Sequence, residues 1–337
     1  MTNIIITYKC NLKCCYCFAN EFVNKTSKNI TFEDFIKAYY FIRRNERDRI
    51  GIIGGEPTLH PEFGRMIEFL NGENRKQKFK IPVQIYTNGI EIDKYIGILK
   101  KGNYHLLINC NSPKVIGETS YKKLLDNLRL IDKNFKKKYV VGINLFSETM
   151  DYEYIFEILK EFKLKTLRFS LTVPNLAEKK HLSREEAFGK KKEFLFKVFE
   201  KCRENGISPF YDCNIFLSCL TNPEDLKFLK TFKERYNLIK YSSCNPVIDI
   251  LPDLKAIRCF GMSDYMKVSI NDFKNTEELR KFFEEEIDHY AKKIPTFEEC
   301  RGCEEMMLGN CYGGCLAYKA DRIEEYKQHC KQFFNKV

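Results

Sequence analysis

An α/β fold built on a parallel sheet, followed by a small cysteine-rich region, is what this sequence predicts. Three observations predict it. Short β-branched runs alternate with amphipathic stretches through the first two hundred or so residues, the pattern of β-then-α units joined by right-handed crossovers. The alternation fades after Gly206. From Cys244 onward cysteine pairs replace it.

The elements follow in order. Ile4–Thr7 is short and β-branched and reads as the first strand. Thr31, with Asp34 three residues on, is an N-cap that opens a helix to about Arg44. Ile50–Ile53 is the second strand, and helical sequence runs from Pro61 to about Leu70. Strand Val83–Tyr86, helix Ile92–Lys100, strand His105–Asn109 and helix Ser120–Asp132 come next. Strand Val140–Leu145, helix Tyr152–Phe162, strand Thr166–Leu171 and a longer helix over Arg184–Glu204 complete six units. Residues 207–243 hold a short strand, two cysteines and a helix near Pro223–Tyr236. The expected division is 1–205, a bridge over 206–243, and 244–337. Six units in succession suit an open barrel or a doubly wound sheet, and the residues alone do not separate them. In both, loops after the C-terminal ends of strands carry the chemistry.

Length and composition set bounds. A chain of 337 residues suits about two domains, and 44% hydrophobic residues supply a core. No apolar run approaches the roughly 20 residues of a bilayer-spanning helix. The N-terminus lacks a signal-peptide pattern, so the cytoplasm is the expected location. The formal charge of +11 comes from widely spread Lys and Arg, which reads as a solvated surface. No zinc-finger or aromatic RNA-binding pattern accompanies it, so neither nucleic acid nor membrane is an expected partner. Fifteen cysteines, an odd number, in a chain of cytoplasmic type point to metal rather than disulfides.

The first cysteine group lies in the loop after the first strand. Cys10, Cys14 and Cys17 give C-x3-C-x2-C, with Tyr16 before the third. Three soft thiolates within eight residues suit an iron–sulfur cluster or zinc and leave one metal position open. Cys15 stands between them as a non-ligand. Gly54-Gly55-Glu56-Pro57 follows the second strand directly. Two glycines let the backbone approach a ligand closely, and the proline fixes the exit of the turn. The second group comprises Cys244, Cys259, Cys300, Cys303, Cys311, Cys315 and Cys330, spaced C-x14-C … C-x2-C-x7-C-x3-C … C. A zinc ribbon over Cys300–Cys315 is the structural alternative.

C-x3-C-x-Tyr-C after a first strand, with GGEP one unit later, resembles the signature of radical S-adenosylmethionine (radical SAM) enzymes. The C-terminal cysteines resemble the SPASM domain that follows the barrel in many of them. Two departures stand out: Leu254 occupies the place where the family usually has Gly after the Pro-Asp pair, and the gap before Cys311 is seven rather than five. The resemblance implies a partial (β/α)6 TIM-like barrel over 1–205 and a SPASM domain over 244–337. It implies a 4Fe–4S cluster on Cys10, Cys14 and Cys17, with SAM at the open iron. Gly54, Gly55, Glu56, Pro57 and Tyr16 would line the SAM site. Asn88 (in Tyr86-Thr87-Asn88-Gly89), Asn109 and Ser170 would add contacts to it. Two auxiliary 4Fe–4S clusters are implied, one on Cys244, Cys259 and Cys315, the other on Cys300, Cys303, Cys311 and Cys330. The fourth place in the first is left open, or to substrate, Cys213 or Cys219. Cys110 and Cys202 read as buried small hydrophobes.

The implied enzyme cleaves SAM reductively to a 5′-deoxyadenosyl radical and abstracts hydrogen from a peptide. Post-translational modification of a ribosomally made peptide by thioether formation, carbon–carbon cross-linking or epimerisation is the leading expectation. Its partners would be a peptide or protein substrate and a flavodoxin or ferredoxin-type reductant. Because the chain starts at the first strand, a separate leader-peptide-binding protein is a further expected partner. Cys213 or Cys219 could return a hydrogen atom, as an epimerase needs. The alternatives are a sulfatase-maturase-like enzyme making formylglycine, with Asp212 or Asp249 as acid or base, and a non-catalytic iron–sulfur protein for electron transfer or binding.

Overall fold

The computed structural model describes residues 1–334 except 18, 27, 46–47, 77–81, 136–137, 173–182, 213–217 and 233–243. Seven strands succeed one another in chain order: β1 (Thr2–Ile5), β2 (Ile50–Ile53), β3 (Val83–Thr87), β4 (Tyr104–Asn109), β5 (Tyr139–Leu145), β6 (Thr166–Leu171) and β7 (Ser208–Tyr211). Each pairs in parallel with the next, for instance Ile5 opposite Ile53 and Asn144 opposite Ser170. A doubly wound sheet reverses its strand order at a switch point, and this sheet does not. The winding is therefore that of a partial barrel.

The sheet runs on past residue 205. β7 adds a seventh parallel strand. β8 (Ile248–Ile250) lies parallel on the free side of β1, with Thr2 opposite Ile248. β9 (Lys255–Ile257) and β10 (Val268–Ser269) extend it antiparallel. The cysteine-rich region is thus hydrogen-bonded to the first barrel strand.

Helices cover one face of the sheet: α1 (Phe32–Arg43), α2 (Phe63–Lys76), α3 (Ile96–Leu99), α4 (Pro113–Ile116), α5 (Glu118–Phe135), α6 (Glu153–Glu161), α7 (Arg184–Glu204) and α8 (Pro223–Leu229). Thr31 caps α1 as its sequence indicates, its hydroxyl accepting the Asp34 N–H at 3.0 Å. α2 runs six residues beyond Leu70 through polar sequence. Its Asn71 is buried and donates to the Ile98 carbonyl at 3.0 Å, so tertiary contacts extend the helix where apolar periodicity stops. α8 is described to Leu229, and residues 233–236 of the expected helix lie outside the described residues. Towards the C-terminus come α9 (Thr276–Phe283), α10 (His289–Ala291), α11 (Glu304–Met307) and α12 (Ile323–Phe334).

Ile4, Ile52, Ile85, Ile108, Val141 and Phe169 are buried under the helices, each worth roughly 1.5–3 kcal/mol. The alternate residues point to the opposite, concave face. Gln84, Tyr86, Asn109, Asn144 and Arg168 stand there half-buried. Leu254 is buried with φ of +61°, the left-handed backbone that glycine adopts at no steric cost. No described helix is long and apolar enough to cross a membrane.

Candidate active site

The loop leaving β1 folds back on itself. The Asn24 N–H donates to the Tyr8 carbonyl at 2.9 Å, and the Asn24 side-chain oxygen accepts the Cys10 N–H at 2.9 Å. Asn24 takes a positive φ of 59° to do so. This turn sets Cys10, Cys14 and Cys17 half-buried at the C-terminal end of the strand, while Cys15 is exposed. Backbone and amide N–H groups already point at two sulfurs: Leu12 N–H to Cys10 at 3.4 Å, and Asn111 Nδ2 to Cys14 at 3.7 Å. Burial pushes the Cys10 thiol up to about 12, and Glu56, Cys14 and Cys17 nearby add to it. Burial raises Cys14 and Cys17 as well.

Partial burial and mutual repulsion disfavour three thiolates side by side, and a bound cation would offset both. Coordination to iron or zinc supplies that cation and deprotonates the thiol outright. The donor set therefore fits a cluster held by soft ligands. Among the described residues, no three His, Cys, Asp or Glu side chains converge as ligands of a single ion do.

The Gly54–Pro57 segment lies directly against this loop. The Gly55 N–H donates to the Thr7 carbonyl at 2.8 Å and the Glu56 N–H to the Lys9 carbonyl at 2.7 Å. A Cβ on Gly54 would sit 2.5 Å from the Thr7 carbonyl oxygen, and one on Gly55 would collide with that of Lys9. What the two glycines approach so closely is the cysteine loop's own backbone. Glu56 is buried, and four donors occupy its carboxylate: Thr58 N–H at 3.2 Å, Thr58 Oγ1 at 2.6 Å, Thr87 Oγ1 at 2.8 Å and Asn88 N–H at 2.7 Å. Asn88 Nδ2 in turn donates to Asn11 Oδ1 at 2.7 Å. Glu56 and Asn88 thus tie the loops after β1, β2 and β3 together. Pro57 opens a 3-10 turn over Pro57–Leu59.

Tyr16 turns inward over the barrel mouth. Its ring stacks on Phe146 at 4.9 Å. Its hydroxyl accepts from Asn109 Nδ2 at 3.0 Å and donates to Asn111 Oδ1. A polar row continues across the concave face. Asn144 Nδ2 donates to Asn109 Oδ1 at 2.9 Å, and Asn144 Oδ1 accepts from Ser170 at 2.7 Å and Arg168 Nη1 at 2.9 Å. Arg168 also grips Asp212 through Nε at 2.9 Å and Nη2 at 2.5 Å. The site residues expected at later strand ends, Asn88, Asn109 and Ser170, are therefore all present at this end of the sheet, each bonded to a neighbouring loop or strand. Sequence reasoning missed Asn11, Asn111, Asn144 and Arg168. Their signal was a polar residue in the cysteine loop, at the inward parity of a predicted strand, or, for Asn111, just past a strand's C-terminal end.

Five of the C-terminal cysteines fall into two neighbourhoods, Cys244 with Cys259 and Cys300 with Cys311 and Cys315. Cys244 and Cys259 both lie against the Arg258 guanidinium, at 3.4 and 3.7 Å. Gly261, 3.9 Å from the Cys259 sulfur at its Cβ position, also abuts Ala317, two residues beyond Cys315. Around Lys319 are Cys300, Cys311 and Cys315, all near enough to act on its charge. Lys319 is fully buried, donates to the Ala291 carbonyl at 2.9 Å and is pulled down to about 7 by burial. Cys219 is exposed, accepts from Arg184 at 3.6 Å and lies close enough to Cys300 and Cys311 to feel their charge. Cys330 lies on α12 and Cys303 at the start of α11. Cys110 and Cys202 are fully buried, as their sequence context indicates. Cys213 lies outside the described residues. Asp249 on β8 is buried, accepting from Asn3 Nδ2 at 2.7 Å and the Phe260 N–H at 3.1 Å.

Residues 4–157 match the Radical SAM superfamily. The S-adenosylmethionine-dependent nucleotide dehydratase RSAD2 of Siniperca chuatsi is 31% identical over 157 residues, 43% of this chain and 42% of that protein. The radical SAM cyclopropyl synthase TigE of Paramaledivibacter caminithermalis is 24% identical over 343 aligned positions, 93% of this chain and 67% of that protein. The chain spans less than two thirds of the length of three of the curated relatives that it matches. Among solved structures, Streptococcus suis SuiB bound to S-adenosylmethionine superposes with a TM-score of 0.61 at 15% identity, covering 94% of this chain and 72% of SuiB. SuiB bound to its precursor peptide SuiA gives 0.57 at 16% identity, covering 94% and 71%. These two likenesses are of fold.

Proposed function

We propose, from the match of residues 4–157 to the Radical SAM superfamily, that this chain is a peptide-modifying radical SAM enzyme with a SPASM-type C-terminal region. The observation that carries the proposal is the seating of the Cys10, Cys14 and Cys17 loop on Gly54 and Gly55 at the mouth of the barrel. A 4Fe–4S cluster held there, once reduced, would supply the single electron for reductive cleavage of SAM and so the radical chemistry that takes an unactivated hydrogen atom. The chain's own residues do the positioning. Cys10, Cys14 and Cys17 would hold the cluster. Gly54, Gly55, Glu56, Asn88 and Asn11 fix the loops around it. Tyr16, Asn109, Asn144 and Ser170 offer a polar wall to SAM and substrate.

Support for a peptide substrate comes from the fold shared with SuiB, which has been solved with its precursor peptide. The alignment with TigE over almost the whole chain adds support for a bond-forming modification. Cys244, Cys259, Cys300, Cys303, Cys311, Cys315 and Cys330 would hold auxiliary 4Fe–4S clusters, and Cys219 stands beside Cys300 and Cys311 as a further candidate ligand. The electron would come from a flavodoxin or ferredoxin-type reductant.

The test is anaerobic reconstitution with iron and sulfide, reduction, and assay of 5′-deoxyadenosine from SAM. Cleavage by the wild type, its loss in Cys10→Ala, Cys14→Ala and Cys17→Ala, and its survival in Cys15→Ala are expected. A wild type that binds iron yet yields no 5′-deoxyadenosine would favour the non-catalytic alternative. Mass spectrometry of candidate short peptides after turnover then separates peptide modification from formylglycine formation.

A further inference from the structure

Arg258 is among the largest fully buried side chains of the described protein. A buried guanidinium is costly unless every N–H finds a partner. Here all five do. Nε donates to Asp288 Oδ1 at 2.6 Å and Nη2 to Asp288 Oδ2 at 2.9 Å, a fork on a carboxylate that is itself buried. The second Nη2 hydrogen reaches the Cys244 carbonyl at 3.0 Å. The two Nη1 hydrogens point at sulfur: Cys244 Sγ at 3.4 Å and Cys259 Sγ at 3.7 Å. With five donors on a rigid plane, satisfying Asp288 fixes where the last two must point. Lys292, 3.7 Å from Asp288 Oδ2, adds a second cation to the same carboxylate.

We infer that Arg258 is the fixed hydrogen-bond donor to the cysteinyl sulfurs of the auxiliary cluster held by Cys244 and Cys259, and that it raises that cluster's reduction potential. The inference rests on the auxiliary-cluster reading under Proposed function. The physical reason is general. Reduction puts more negative charge on the cluster sulfurs, and N–H donors and nearby positive charge stabilise that form. Asp288 acts in the opposite sense, since its carboxylate offsets the guanidinium while holding it in place. Arg258 is therefore a positioning and tuning residue, not a ligand.

The experiment uses the full chain carrying Cys10→Ala, Cys14→Ala and Cys17→Ala, so that only auxiliary iron remains. After anaerobic reconstitution, iron content is measured and the cluster is titrated potentiometrically with EPR detection. Arg258→Met should keep its iron and shift the midpoint potential downward, and Arg258→Lys should recover part of that shift. Asp288→Asn should move the potential upward. Opposite signs for the two partners of one ion pair are not what a merely structural role produces. Iron retained with an unchanged midpoint in Arg258→Met overturns the inference while leaving the auxiliary cluster standing. Should Arg258→Met fail to fold, an unchanged midpoint in both Arg258→Lys and Asp288→Asn overturns it equally. A parent protein that takes up no iron, and behaves identically after Cys244→Ala and Cys259→Ala, removes the auxiliary-cluster reading and the inference with it.

Discussion

The Glu56 carboxylate accepts the backbone N–H of Asn88 at 2.7 Å, joining the loop after β2 to the loop after β3 beneath the cysteine loop. Through Asn88 Nδ2 and Asn11 Oδ1 the same linkage reaches the segment between Cys10 and Cys14. The three loops are one hydrogen-bonded unit, and its centre is a carboxylate whose pKa burial raises against the pull of its donors.

Replacing Glu56 by Ala strands the donors of Thr58, Thr87 and Asn88 in a buried place. A loss of about 1–3 kcal/mol is expected, the range for a buried polar group left without its partner. Urea unfolding of the metal-free chain measures it. Glu62→Ala is the control, since among the described residues its carboxylate bonds only to the exposed Arg65, at 2.7 Å, and its loss should cost no more than about 0.5 kcal/mol. Equal effects from the two substitutions would contradict the role given to Glu56.

Gly55→Ala and Gly72→Ala separate close approach from glycine content. The Gly55 Cβ would collide with the Lys9 carbonyl oxygen and lie 3.1 Å from Cys10 Cβ. Backbone cannot swing away as a flexible side-chain tip can, so the cysteine loop must shift. A cost of about 1–3 kcal/mol and reduced iron uptake on reconstitution are expected. Gly72 lies within α2 with nothing inside 4 Å of its Cβ position, so alanine there should stabilise by up to about 1 kcal/mol. Normal iron uptake by Gly55→Ala would refute the seating.

Leu254 sets two effects against each other. Glycine at this position relieves a φ of +61°, worth about 1–2 kcal/mol. It also deletes a buried leucine side chain, and large-to-small changes in a core cost about 2–5 kcal/mol. Packing wins, so Leu254→Gly should destabilise by roughly 1–3 kcal/mol in thermal or urea unfolding. A more stable Leu254→Gly would mean that the side chain contributes little to the core.

The contrast between Leu254 and Ile50–Ile53 shows what the sequence made legible. A β-branched run such as Ile50–Ile53 declares a buried parallel strand locally, and the observed strand has those bounds. The cap at Thr31 and the helix over Arg184–Glu204 are equally local. The spacing of Cys10, Cys14 and Cys17 named their loop because three thiols within eight residues have few other uses. What stayed hidden is long-range. β8 pairs with β1 across 246 residues, Asn3 beside Asp249, and no periodicity reports such a pairing. Arg258, just after β9, meets Asp288 30 residues away, between α9 and α10. The purpose of Gly54 and Gly55 was half-legible: glycine signals close approach, but only the fold shows that the approaching backbone is the chain's own.

Asp249 gives the protein a pH dependence with a definite sign. Burial pushes its carboxyl up to about 7, against the hydrogen bonds from Asn3 and the Phe260 N–H. The folded chain therefore keeps this proton in a range where the unfolded chain has lost it. Its contribution is fully present below about pH 4, and it is lost as pH rises from there to about 7, at up to 1.4 kcal/mol per unit. Three units give a ceiling of about 4 kcal/mol. Asp249→Asn carries no such proton. Urea unfolding of the metal-free chain at pH 4 and at pH 7 should show the wild type losing as much as about 4 kcal/mol more than Asp249→Asn over that interval. Stability curves that stay parallel would show that Asp249 titrates as an ordinary carboxylate in spite of its burial between β1 and Phe260.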